Sequence, residues 1–270
     1  MSVMRRCFHL AAIPAALLAA NPIVAQTEQK TVLTAAVRQA VDRGEMLYIY
    51  DRAAWLGTDD FRDHHANLMS LAGGYVVTGD KQAELVFYDK SKSKAVYRAT
   101  YADEKLSNNG PPVADRIELT PLEKRMIAAK ERALEAFGDA KVGLCAKSSP
   151  NLAALPPARP DGPILVYMMT PQTDSKVYPL GGHFSVEIGP DGSAGKVRRY
   201  MNTCFEMSLR DVPEGGAPAA FFVTHLLDPT PTEIHVFTSI ASKVPIMVGT
   251  KNKWIWAVEG NRVRTVDKLK

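Results

Sequence analysis

The chain has 270 residues and a formal net charge of +4, enough for one large domain or two small ones, each with its own core. Its basic residues are scattered, as at Arg198-Arg199, Lys251, Lys253, Lys268 and Lys270, whereas a nucleic-acid binder concentrates them on one face. A single short apolar run stands near the N-terminus and no second long one follows, so no membrane span is expected in the mature chain.

Met1–Arg6 (MSVMRR) carries two arginines, Leu10–Ala20 (LAAIPAALLAA) is apolar but too short to span a bilayer, and Ala25 is a small residue at a cleavage position. A charged start, a short apolar middle and a small-residue exit describe a secretory signal over residues 1–25. The expected mature protein is soluble and exported, to a bacterial periplasm or beyond. Cys7 precedes the apolar run and leaves with it, so Cys145 and Cys204 remain. Two thiols in an oxidising compartment tend to pair. Such a bridge closes a loop of about sixty residues and contributes about 4 kcal/mol in the chain-entropy model. The competing reading, one cysteine as a nucleophile beside a histidine, requires a free thiol.

In chain order, Thr31–Arg43 has a helical apolar stripe with Gly44 as its stop, and Glu45–Tyr50 (EMLYIY) reads as a strand. Residues 53–74 are irregular. Strands follow at 75–77, 84–88 and 95–101, then a loop over 102–119 centred on Asn108–Pro112. Thr120-Pro121-Leu122-Glu123 joins an N-cap hydroxyl, a first-turn proline and a glutamate at the third position. Leu122, Met126, Ala129, Ala133 and Phe137 then recur at helical steps up to Gly138. The proline-rich stretch 148–162 reads as a loop or linker. Strands are expected at 164–169, 183–188, 196–201, 221–227, 233–240, 245–248, 254–258 and 262–266, with a hairpin turn at Gly189–Gly192. The pattern predicts an α+β fold with mostly antiparallel sheets in two strand-rich units, 26–119 and 139–270, bridged by a helix over 120–138.

The stretch Thr224–Phe237 (THLLDPTPTEIHVF) holds two of the six histidines. If Asp228–Thr232 turns a hairpin, His225 faces His235 across two strands, with Glu233 on the same side. Two imidazoles and a carboxylate are ligand types that zinc accepts in an open hydrolytic site, with Glu233 as the catalytic carboxylate and the metal polarising a water. His183, after Gly181-Gly182, is a further candidate, because glycines let a substrate or another backbone come close. The rival account is a second buried face with no chemistry. A one-residue slip dissolves the pair, and no HExxH signature supports it.

Other features carry less. Gly189–Val197 (GPDGSAGKV) lacks the spacing of a phosphate loop, and no GxSxG elbow exists. Asp59, Asp60, Asp63, His64 and His65 read as a solvated charged face or, if helical, a metal-binding one. Trp254 and Trp256 share a strand face, as a ligand-stacking platform or as core. The sequence reading is therefore an exported binding or envelope-associated interaction module with no expected cofactor. The alternative is a zinc-type hydrolase on His225, His235 and Glu233.

Overall fold

The computed structural model describes residues 22–107, 117–212, 216 and 218–268, with side chains from residue 34 onward. The expected leader, apart from Pro22–Ala25, and residues 108–116 of the expected 102–119 loop lie outside them. The chain is an α+β protein, with four helices and fourteen strands among the described residues. They run α1 (Pro22–His64), α2 (Ala66–Met69), β1 (Ala72–Gly79), β2 (Ala83–Asp89), β3 (Ala95–Ala102), β4 (Lys105–Ser107), α3 (Pro121–Asp139), β5 (Asn151–Leu155), β6 (Ile164–Met169) and β7 (Val177–Pro179). After these come β8 (Phe184–Ile188), β9 (Arg198–Arg199), β10 (Glu206–Ser208), β11 (Phe221–His225), α4 (Glu233–Ser242), β12 (Ile246–Thr250), β13 (Trp254–Glu259) and β14 (Arg262–Lys268).

Three four-stranded sheets, ordered β1-β2-β3-β4, β5-β6-β8-β9 and β11-β12-β13-β14, are joined by the small pair β10-β7. Every pairing between these strands is antiparallel except β11 with β12, which α4 connects as a parallel crossover. One hydrophobic cluster takes side chains from all three large sheets and from α1, α3 and α4.

Two predicted strands are helical. Glu45–Tyr50 lies within α1, which continues to His64. Buried positions Ala40, Gly44, Leu47, Tyr50, Ala53, Gly57 and Phe61 recur every three or four residues, a helical period that the aromatic run EMLYIY masks. Gly44 is not a stop but a crossing point. A Cβ there would lie 2.5 Å from the Val236 Cβ and 2.9 Å from the Glu233 carbonyl oxygen, so only glycine lets α4 approach this closely.

The second correction concerns 233–240. Asp228–Thr232 does not turn a hairpin; it leads from β11 into α4, with Thr232 as N-cap. The Thr232 N–H donates to His235 Nδ1 at 3.0 Å, so an imidazole fills the place that a glutamate takes in the usual capping box. Ile234, Val236 and Phe237 look strand-like by propensity, but tertiary packing decides. Two segments read as loops also carry strands, β4 within 102–119 and β5 within 148–162.

The helix predicted after Thr120 is present with both halves of its capping box. Its capping residue Glu123 also receives Arg98 of β3 through two hydrogen bonds, at 2.7 and 3.1 Å. This buried pair fastens α3 to the first sheet.

Candidate functional site

His225 and His235 do meet, though on a strand and a helix rather than on two strands. Their rings pack edge-on with centroids 4.8 Å apart, and both are sealed at 1% and 2% exposure. His225 Nε2 donates to Asp228 Oδ2 at 2.9 Å, and Arg198 pairs with the other oxygen of Asp228 at 3.2 Å. Burial pushes the Asp228 carboxyl up, but His225 and Arg198 together hold it below the usual carboxylate range. Because His235 Nδ1 accepts from Thr232, the neutral ring carries its proton on Nε2, which has no partner. Burial, with His225 nearby, lowers the His235 pKa to about 3, so it is neutral at pH 7.

Glu233, the first residue of α4, is also buried. One carboxylate oxygen accepts the Tyr167 hydroxyl at 2.8 Å and the Tyr200 hydroxyl at 2.6 Å, and Arg43 of α1 stands 3.9 Å away. Tyr200 further contacts Ser185 at 3.0 Å. Burial and the Glu233 charge raise both phenols, so they stay protonated as donors. The helix N-terminus adds favourable partial positive charge beneath the carboxylate.

These contacts do not fit zinc. His225 Nε2 is held by Asp228, His235 Nδ1 by Thr232, and Glu233 by two tyrosines. Among the described residues no group of three or more histidine, cysteine, aspartate or glutamate side chains is disposed to hold a metal ion. The histidine pair acts as a buried joint between β11 and α4.

His183 lies elsewhere, in an enclosed chamber of about 50 Å³ lined also by Asp51, Asn151, Thr170, Gln172, Tyr178 and Thr238, among others. Its Nε2–H donates to the Pro179 carbonyl at 3.0 Å, and its Nδ1 is buried with no partner. Burial lowers its pKa to about 4, leaving Nδ1 a free acceptor at pH 7. The Thr238 hydroxyl is likewise buried and unpaired. A second cavity of about 20 Å³ adjoins through Asp51, Asn151 and Met169 and ends at Tyr75 and Lys130. Asn151 Nδ2 donates to Asp51 at 3.3 Å, yet burial raises the Asp51 pKa to about 6. Burial also lowers Lys130, which donates to the Tyr75 carbonyl at 2.8 Å, to about 8. Perturbed acids and bases beside a cavity are candidate functional positions.

Sequence reasoning named His183 but not Asp51, Lys130, Asn151 or Thr238, which line the same two cavities. Once α1 is read as continuous, Asp51 falls beside Tyr50 at the edge of its buried stripe, and that was the available signal. Gly181 and Gly182 admit backbone rather than substrate. A Cβ at Gly181 would meet Cys204 Cα at 2.9 Å, and one at Gly182, whose φ is +74°, would meet Cys145 Sγ at 2.7 Å. The Cys145–Cys204 disulfide encloses them, so neither thiol is free as a nucleophile.

Trp256 is buried, and its indole N–H donates to Thr250 at 3.1 Å. Trp254 is partly buried, with the Lys268 ammonium 5.6 Å from its ring centroid. The charged knot is the end of α1. Arg62 pairs with Asp59 at 2.8 Å, and His64 with Asp60 at 2.9 Å. Tyr97 donates to Asp60 at 2.6 Å.

Fold and site together define an α+β protein with a disulfide and a slot between α1, α4 and the β5-β6-β8-β9 sheet. Among the described residues no helix is long and apolar enough to cross a membrane. No family model, curated protein or solved structure matches the chain.

Proposed function

We propose that this protein is an exported binding module of the cell envelope, and that the slot between Lys130 and Thr238 is where it takes a small polar ligand. One observation carries the reading: His183 and Thr238 line the same chamber, and His183 Nδ1 and Thr238 Oγ1 are both buried without a partner. Buried polar atoms are normally paired, and an orphan at a cavity is the mark of a water or ligand. His183 presents an acceptor, Thr238 either a donor or an acceptor, and Asp51 a carboxyl near its titration point. Those groups favour a ligand that donates hydrogen bonds, or the polar end of a longer one entering past exposed Gln172.

Export is supported by the N-terminal pattern of charge and short apolar run. The Cys145–Cys204 bridge agrees with an oxidising compartment.

The test is a thermal-shift panel of sugars, amino acids, short acids and amides, run on the wild type and on Thr238→Val. The expected result is a compound that raises the Tm of the wild type alone. A panel without a stabilising compound, together with crystals that show only water in the chamber, overturns the proposal. Stoichiometric zinc in the purified protein, lost in His225→Ala, would restore the hydrolase reading.

A further inference from the structure

The sheet β11-β12-β13-β14 has two edges that differ in kind. On β14, Arg262, Arg264, Asp267 and Lys268 are all exposed, the charged cover that keeps a strand edge from pairing with another chain. β11 pairs with β12 alone, and from Phe221 to Leu227 the sequence holds no carboxylate, lysine or arginine. The other sheets close their edges by different means. Lys130 of α3 donates to the Tyr75 carbonyl of β1, and β4 and β9 have only three and two residues. None of the β11 residues lines the chamber of His183.

The Phe221 N–H donates to the Pro245 carbonyl at 2.9 Å. In a parallel ladder this sets the alternation: the peptide groups of Phe221, Val223 and His225 face β12, and those of Phe222, Thr224 and Leu226 face outward. Among the described residues no backbone group pairs with the outward set. The same three residues hold the exposed side chains. Phe222 and Leu226 are 56% and 64% exposed, and Thr224 between them is exposed too, whereas Val223 and His225 are buried. The Phe222 ring lies over Gly249 of β12, its tip 3.3 Å from where a Cβ would stand. An open, uncharged edge flanked by two large apolar side chains is a template for one more strand.

The strand that fits best is its own copy. An antiparallel pairing about a two-fold axis at Thr224 sets Phe222 of each copy opposite Leu226 of the other, and Thr224 opposite Thr224. All of these are outward-facing residues, so each opposed pair exchanges backbone hydrogen bonds. A centre at Val223 would instead set Phe222 against Thr224 and Leu226 against Ala220, leaving both large side chains unmatched. No charge meets a like charge along the strand. We infer that β11 pairs with the β11 of a second copy of this chain, antiparallel about Thr224, joining two sheets into one. A two-fold contact of this kind closes at the dimer. One strand per copy makes a small interface, so the dimer exchanges with monomer.

The experiment is sedimentation equilibrium of the full mature protein at low salt, from about 1 μM to about 1 mM, the range of weak complexes. A monomer–dimer equilibrium without higher species is expected for the wild type. Thr224→Lys and Thr224→Glu each place like charges directly opposite across the axis and should weaken the dimer roughly threefold to tenfold. The side chain is exposed, so neither variant should melt differently from the wild type. Mixed in equal amounts, the two variants should associate more tightly than either does alone, because lysine then faces glutamate only in this register. The mixture also separates the pairing from any damage that both variants share. Monomer at every concentration, a dimer that Thr224→Lys leaves undiminished, or a mixture no tighter than its components overturns the inference.

Discussion

Gly44→Ala and Gly138→Ala are the same substitution in two helices, and the structure gives them opposite signs. Alanine gains about 1 kcal/mol over glycine in a helix interior. At Gly138 of α3 no atom lies within 4 Å of the added Cβ, so most of that gain should appear as stability. At Gly44 the new carbon would stand 2.5 Å from the Val236 Cβ and 2.9 Å from the Glu233 carbonyl oxygen. Neither atom can rotate away, since one is fixed to the backbone and the other belongs to it. Carbon atoms pack best at about 3.5–4.0 Å, so α1 and α4 must part by on the order of 1 Å. Overpacking of this kind costs about 1–3 kcal/mol, and loosening the Glu233–tyrosine contacts adds to it. The net expectation is a loss of about 1–3 kcal/mol, or roughly 2–12 °C in Tm for a chain of this size. Urea unfolding followed by far-UV circular dichroism measures both variants against the wild type. A Gly44→Ala protein as stable as the wild type would refute the crossing of α1 and α4 at that residue, and with it the helical placement of 233–242.

Three other outcomes follow from the same contacts. Glu233→Ala strips the partner from two buried phenols and should cost about 3–5 kcal/mol, read by the same titration; a loss under 1 kcal/mol contradicts the network. Denatured, unreduced protein should show no free thiol at Cys145 or Cys204, and reduction should lower stability by about 4 kcal/mol. His183 and His235, at about 4 and about 3 in the fold against about 6.5 unfolded, bind fewer protons folded than unfolded. Their stabilisation is complete above pH 6.5 and is lost as pH falls toward 4 and then 3. Asp51, raised to about 6, acts the other way, with stability recovered as pH falls from 6 toward 4, and offsets part of one histidine. Unfolding at fixed urea should therefore ease below pH 6, less so in His183→Gln; a flat profile contradicts the neutral buried rings.

The architecture was legible wherever local chemistry and tertiary packing agree. Thr120-Pro121 and Glu123 mark α3 because capping is a local hydrogen-bond pattern. The meander of β1 to β3 and the strands β6, β12 and β13 follow from alternation and turn residues. It failed where one residue type serves two purposes. Gly44 reads as a terminator until a second helix is known to lie against it, and β-branched Ile234 and Val236 read as a strand until His235 is seen capping its own helix. The nearness of His225 and His235 was inferred from a hairpin that does not exist. It survives because a tight β-to-α connection also brings residues ten apart together. The Asp51 slot joins residues as distant as 51, 130 and 238, which no spacing rule reaches.

The Asn261–Glu45 hydrogen bond and the Gly44–Val236 contact have a bearing on assembly. The C-terminal half of α1 is covered by strands that follow it closely, through Tyr50 to Gly79 and Phe61 against Phe87 and Tyr97, whereas the Glu45–Asn261 bond joins residues 216 apart. Contacts of such long sequence separation form slowly. The joint between α1 and α4 should accordingly form late in folding, after α1 has docked on the first sheet.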